Sequence, residues 1–595
     1  MDKYKMGPVV RIGVLQRVNE LKFKLIGKYK FQDKIFDENW GIWRAKIKKS
    51  YPAKFSYLLI HKKITDKKKA EDFLKEHPRF SLLEVGNDYK INDKVITTKE
   101  WWIYKEKCNS YDEADRLRLK YEYADYIDIL ETVEEKPKGI IILENEKGEK
   151  YEINTHAFFE SIGGEKDRVI LQDVIVGIGF HWEHKENQRY RRSFDIIIDN
   201  AGKLTAVNEL PLEEYLFSVN SSEMKADCPI ELLKAQTIVA RNTILATRGK
   251  HHYSDNFDIC ADDHCQCYRG SSRERESSIK AVIDTFGQVL VYNNKICDTR
   301  YSKICGGFME NFESVWYSEP VPYMISGIDA EDKLKEELKK LFPINTEEKA
   351  RKYIEGDFPV FCNVEKNIET PSSVRYAKEY FKWSFKYTSK ELANLIKRKK
   401  GIYKGRILDL IPIKRGDSGR IEKLKVVAEN GEFFLGKELD IRFALHEKCL
   451  YSSFFVVDKE KSKDEIYFTI KGCGWGHGVG LCQIGATVMA AKGYNAEEIL
   501  YHYFKNTNLI KMYEKDDIDY IKKYYHGQNR EGERCFEFFN CYEVNICKAK
   551  NKGKCWENSG NYVNGKRIDT QEEKEKICKS CPYYKLQNKI EEGEL

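Results

Sequence analysis

The chain has 595 residues, 41% hydrophobic and 33% charged, more than a single hydrophobic core can organise, so several domains are expected. Lys+Arg 102 against Asp+Glu 95 leaves a net charge of +7, too weak a field to make nucleic acid the default partner. No stretch approaches the roughly eighteen continuous apolar residues of a membrane span, and MDKYKMGPVVRIGV lacks the apolar core and cleavage site of a secretory signal. The sequence therefore predicts no transmembrane segment and, as written, a cytoplasmic chain.

Residues 1–50 alternate apolar and polar (VVRIGVLQ, LKFKLIGKYKF) and predict a β-rich lead-in. In 51–135, KFSYLLIHKKITDKKKAEDFLKEH and EWWIYKEKCNSYDEADRLRLKY share one plan of strand, polar turn and helix. They align without gaps at Tyr57 on Trp101 and Ala70 on Ala114, which suggests a duplicated unit. In outline this pattern resembles the SPOR repeat, a small module that binds peptidoglycan. Short strands dominate from 138 to 208, a helical region follows to about 330, and 331–450 is mixed. LCQIGATVMAAKG predicts a helix stopped at Gly493, and NAEEILYHYF predicts another, with Asn495 and Glu498 in a capping-box spacing. The class expected is α+β with much antiparallel strand.

Three stretches carry residues suited to chemistry. In KGCGWGHGVGLCQIGA (471–486), glycines fall at every second position around His477. G-x-G-x-x-G fails at every register and no G-K-[ST] follows, which excludes the phosphate loops. An extended segment with one bare face lets a long ligand or another backbone lie close, and His477 would be aimed at that ligand. The second stretch, 215–249, predicts a helix begun at Pro229 and ended near Gly249. On it Lys234, Arg241 and Arg248 are seven apart, within roughly 40° on one face. Glu223 lies in the loop expected just before that helix, among small residues that leave room for partial burial.

In the third stretch, CADDHCQCY (260–268), Cys260, His264, Cys265 and Cys267 offer ligands that suit zinc. Adjacent His264 and Cys265 strain a site built from this loop alone, so two or three local ligands are expected, with His251 or His252 completing the set. The chain has 17 cysteines, an odd number, so they cannot all pair within it. Six of them, Cys535, Cys541, Cys547, Cys555, Cys578 and Cys581, crowd into the tail.

VNELPLEEYLFSVNSSEM, PIELLKAQTIVARN, CQCYRG, SKICGGFMENFESVW and GCGWGHGVGLCQIGA follow in an order and spacing that resemble the stage II sporulation protein D and amidase enhancer LytB family. The likeness spans roughly 138–510 and implies a grooved domain over 138–515. It implies a lytic transglycosylase that cleaves peptide-free peptidoglycan glycan strands with one glutamate, matched here by Glu223. Lys234, Gln236, Arg241, His477 and Gln483 match groove residues, and Cys260 with Cys265 matches a zinc-binding segment. The alternative the likeness carries is a non-catalytic glycan-binding enhancer of a partner amidase. Relatives of this kind act outside the membrane, which implies a cell-wall location against the missing export signal. The tail (531–595) resembles the cysteine-tryptophan modules called two-CW domains, which implies an iron-sulfur cluster or zinc.

Overall fold

The computed structural model describes residues 7–513, except 92–93, 122–126, 178–182, 263, 317–318 and 463–464, and beyond them 562–563 and 566–567. It is α+β, with several antiparallel sheets and helices packed against them. The six cysteines of the tail lie outside the described residues.

The alternation in Val9–Val18 does place Val10, Ile12 and Val14 inward, but the strand is no separate lead-in. It runs antiparallel to Leu204–Pro211, with Ile12 opposite Asn208, and parallel to Ile259–Cys260, with Gly13 opposite Cys260. These strands belong to a seven-stranded sheet that also holds Ser193–Ile198 and His156–Ser161. Glu20–Ile26 and Ile42–Tyr51 likewise lie in a six-stranded sheet with Lys138–Asn145, Lys150–Asn154, Arg168–Val176 and His184–Arg191. Phe23 from the six-stranded sheet meets Phe159 and Phe194 from the seven-stranded one, each at 5.3 Å between ring centroids. An apolar strand face has to be covered, and here each sheet covers the other. The expected boundary between 1–50 and the domain beginning at 138 is therefore corrected: the two segments share one core.

Between them, the two strand-helix units form as expected. Lys54–Ile64 leads to the helix Lys67–Glu76, and Glu100–Cys108 leads to Tyr111–Arg118. The two strands pair antiparallel in the middle of a four-stranded sheet, and Ala70 and Ala114 are both fully buried where the helices press closest.

A separate core lies under Ser389–Lys400, a helix capped at its start by Thr388 and Glu391 and ended by left-handed Gly401. It packs with Lys382–Thr388, the Ile407–Arg415, Ile421–Ala428 and Gly431–Leu435 sheet, and Glu465–Cys473. That last strand delivers the glycine run. Asn495 and Glu498 form the capping box their spacing predicts. No helix among the described residues is long and apolar enough to cross a membrane.

Candidate functional site

Glu223 is the last residue of the helix Leu212–Glu223, whose first nine residues are all buried. A helix buried on every side needs its polar groups answered, and each contact fixes its position. Asn220 donates to the Leu233 carbonyl at 3.0 Å and to Thr237 Oγ1 at 2.6 Å, locking it to the helix Ile230–Thr247. Tyr215 donates to Gln266 Oε1 at 3.0 Å, and Ser218 to the Gly270 carbonyl at 2.8 Å, locking it to the CADDHCQCY loop. The half-buried Glu223 carboxylate then accepts the Cys267 backbone N–H at 3.0 Å. The Tyr301 phenol lies near the same carboxylate. Burial above all pushes that phenol well above its ordinary pKa, so it stays protonated. Lys303 Nζ donates to the Glu223 backbone carbonyl at 3.1 Å, and no cation ion-pairs the carboxylate among the described residues.

The basic stripe belongs elsewhere. Arg241 is fully buried, donates to Glu213 through Nε at 2.8 Å and Nη2 at 2.7 Å, and to the Gln288 carbonyl at 2.9 Å. Lys234 pairs with Glu231 at 2.8 Å and Asp284 at 3.5 Å, and Arg248 with Asp258 at 3.0 Å. Of the three cations spaced by seven, Arg241 points into the core, while Lys234 and Arg248 are half-buried, and each of the three meets a carboxylate. Arg241 is thereby corrected from a groove residue to half of a core ion pair. Gln236 and Gln483 are buried too, with Gln483 Nε2 donating to Gln236 Oε1 at 3.3 Å. That bond ties the second stretch to the glycine run, 247 residues apart.

The glycine run is not a bare wall. Gly474, Gly476, Gly478 and Gly480 take φ of 82°, 102°, 77° and 71°, and the run lies against 300–306 through the pairs Tyr301 with Leu481 and Ile304 with Trp475. A Cβ on Gly480 would come 2.1 Å from the Arg300 carbonyl, and one on Gly478 2.4 Å from the Arg420 guanidinium. Of the two occupants expected for the bare face, a long ligand or another backbone, it is the protein's own Arg300 backbone, with the Arg420 side chain, that fills it.

His477 sits half-buried in this packing, its Nδ1 accepting the Val479 N–H at 3.0 Å and its ring 5.0 Å from that of Trp316. Burial, with Arg420 and Arg300 close by, lowers its pKa to about 3. The unfolded chain takes up a proton below about 6.5 that the folded chain refuses. This contribution to stability is therefore complete above pH 6.5 and is lost as pH falls toward 3, with a slope approaching about 1.4 kcal/mol per pH unit. Urea unfolding across this range should show a flatter acid limb for His477→Gln than for wild type. Parallel limbs would disprove the assignment.

The third stretch converges as its residue types suggested. Donor atoms of His252, Cys260, His264 and Cys265 all lie within 4.8 Å of one another. Cys260 Sγ is 3.7 Å and Cys265 Sγ 3.4 Å from His264 Nδ1, close to the edges of a tetrahedron about a zinc ion. His252 Nε2 is buried without a hydrogen-bond partner, while its Nδ1 is held by Asp255 at 2.8 Å. A free nitrogen facing the thiols and a carboxylate behind the ring form the usual orientation of a metal-bound imidazole. The neighbours His264 and Cys265 both lie in the cluster, in a turn closed by the Cys265 N–H donating to the Asp262 carbonyl at 3.0 Å. Of the two histidines weighed to complete the set, His252 is the one that joins.

Sequence reasoning missed Tyr301 and Cys267 as partners of Glu223. Cys267 acts through its backbone, which no residue type reveals, but Tyr301 directly precedes the SKICGG stretch. It also missed the half-buried rings along the glycine run, where Trp475 stacks on Tyr380 at 4.5 Å.

Fold and site thus define an α+β protein in which the Glu223 carboxylate is held by the same loop that carries the Cys260, His264 and Cys265 donors. Residues 200–292 match the family described as Stage II sporulation protein, and residues 310–480 match a domain of unknown function, DUF8618. The amidase enhancer of Bacillus subtilis is 26% identical over 318 residues, covering 49% of this chain and 40% of that protein. Stage II sporulation protein D of Bacillus subtilis is 23% identical over 318 residues, covering 51% of this chain and 76% of that protein. An uncharacterized protein of Brachyspira hyodysenteriae is 25% identical over 307 residues, covering 52% of this chain and 68% of its own length. The chain thus spans less than half of the amidase enhancer it matches. These likenesses support the stage II sporulation protein D and LytB family.

Proposed function

We propose that this protein is a lytic transglycosylase acting on the glycan strands of the bacterial cell wall, in a role linked to sporulation. Relatives named for sporulation and for amidase enhancement support the broader cell-wall role. The observation that carries the enzymatic reading is the Glu223 carboxylate, half-buried, held by the Cys267 N–H and near the Tyr301 phenol, with no cation paired to it among the described residues.

Hydrolysis of a glycosidic bond by inversion or retention uses two carboxylates flanking the bond. A lytic transglycosylase uses one. Glu223 protonates the glycosidic oxygen as the bond to the muramic anomeric carbon breaks, and its carboxylate then takes the proton of the C6 hydroxyl as that oxygen closes the 1,6-anhydro ring. No water is consumed and the glutamate ends protonated as it began. Tyr301 keeps the carboxylate oriented, and Trp475, Tyr380 and Trp316 offer flat apolar faces to sugar rings. Peptide-free strands should yield anhydro-muramic ends by mass analysis; none, with zinc present or withheld, would end this reading.

Cys260, Cys265, His252 and His264 fit zinc, and four protein ligands make a closed, structural site. Bound zinc would supply rigidity to the loop rather than a reacting centre. Loss of order there reaches Glu223 directly, since Cys267 lies two residues beyond Cys265. Cys260→Ser or Cys265→Ser should therefore lower zinc by about one ion per chain and lower the melting temperature together. Unchanged zinc in both variants would reduce these cysteines to incidental thiols. The 51–135 unit fits a SPOR-like glycan-binding role, and the cysteine-rich tail fits an iron-sulfur or zinc module.

A further inference from the structure

A second group of metal-ligand side chains lies apart from the first. Cys305, Asp329, Cys362 and Cys482 are each fully buried, and their donor atoms all fall within 4.8 Å of one another. Cys305 Sγ lies 3.7 Å from Cys362 Sγ and 3.0 Å from Asp329 Oδ2. The first separation equals the edge of a tetrahedron with zinc–sulfur bonds of about 2.3 Å, which is about 3.8 Å.

The surroundings are those of ligands rather than of idle thiols. Asp329 Oδ1 is held by His502 Nε2 at 3.0 Å and the Tyr503 hydroxyl at 2.9 Å, which turns Oδ2 toward the sulfurs. Backbone N–H groups point at the sulfurs as well: Gly307 to Cys305 at 3.3 Å, Cys305 to Cys482 at 3.2 Å, and Gly485 to Cys482 at 3.4 Å. Such donors gain little from a thiol and much more from a thiolate. Cys482 also caps the helix Gln483–Ala491, whose N-terminal dipole favours negative charge. Room for the carboxylate exists only because residue 485 is glycine, since a Cβ there would sit 2.5 Å from Asp329 Oδ2.

We propose that Cys305, Cys362, Cys482 and Asp329 form a buried tetrahedral site for a zinc ion, separate from the Cys260 cluster. Metal binding releases the thiol protons, and the ion replaces them as the common partner of four groups that water cannot reach. With all four positions taken by protein, the site is structural. It staples the segment 303–307, which begins at Lys303 just after Tyr301, to the end of the glycine run and to the loops carrying Asp329 and Cys362.

The test is zinc per chain in the full-length protein purified reduced and without added chelator, for wild type, Cys362→Ser and Cys260→Ser. Each single variant should carry about one zinc fewer than wild type, and the double variant about two fewer. Equal zinc in wild type and Cys362→Ser, or a Cys305–Cys362 disulfide mapped in the native chain, overturns the proposal. Should Cys362→Ser fail to fold, wild type decides alone, through alkylation in denaturant followed by peptide mapping. Cys305, Cys362 and Cys482 should resist labelling at low denaturant until a strong chelator is added, whereas labelling indifferent to the chelator rejects the site.

Discussion

Glu223→Gln is expected to lower the release of anhydro-muramic ends from peptide-free strands by roughly a hundred to ten thousand times, the usual scale for a lost proton transfer. The amide preserves size and can still accept the Cys267 N–H, so the fold and the binding of strands should survive. A carboxylate that serves as both acid and base leaves no second group to carry a residual rate. The non-catalytic reading predicts a different pair of results: no anhydro ends from wild type, and equal stimulation of an amidase by wild type and Glu223→Gln. Measuring both quantities on both proteins separates the two readings. Tyr301→Phe adds a control, since it removes the hydroxyl near Glu223 while keeping the ring, and should reduce turnover more than strand binding.

Arg241→Ala should destabilise the protein by about 3–5 kcal/mol, because it leaves the buried Glu213 carboxylate without its cation. Glu213 also accepts the Gly287 N–H at 3.3 Å and the Tyr513 hydroxyl, so the loss spreads to the Gln288–Tyr292 strand and the end of the described chain. Urea unfolding reads the change, and Arg241→Met combined with Glu213→Leu should recover part of it by removing both charges together. A stable Arg241→Ala variant that binds glycan strands weakly would instead restore Arg241 to the groove.

The separate fates of Arg241 and Glu223 show how far local pattern reaches. Helix Ile230–Thr247 follows from Pro229 at its start, the apolar spacing and Gly249 beyond its end. The seven-residue spacing correctly places Lys234, Arg241 and Arg248 on related faces. What that face meets depends on Glu213, Asp284 and Asp258, residues whose positions no helical period encodes. The glycine run left two occupants open for a similar reason. Alternating glycines report that something lies close, and only the fold shows that it is the Arg300 backbone and the Arg420 side chain rather than a ligand.

By itself the sequence determined the α+β class, the paired strand-helix units, the helix caps at Asn495 and Glu498, and a Cys/His cluster centred on 260–265. These rest on residues close together in the chain, where periodicity, capping and ligand chemistry act over a few positions. It also singled out Glu223, through the motif in which it stands. Only the tertiary structure decided that the first strand sits between Cys260 and the central sheet, that Tyr301 and the Cys267 N–H attend Glu223, and that Cys305, Asp329, Cys362 and Cys482 converge. Each of these joins segments tens to hundreds of residues apart. Such meetings are set by which apolar faces bury one another, a competition among all the elements at once that no local stretch records.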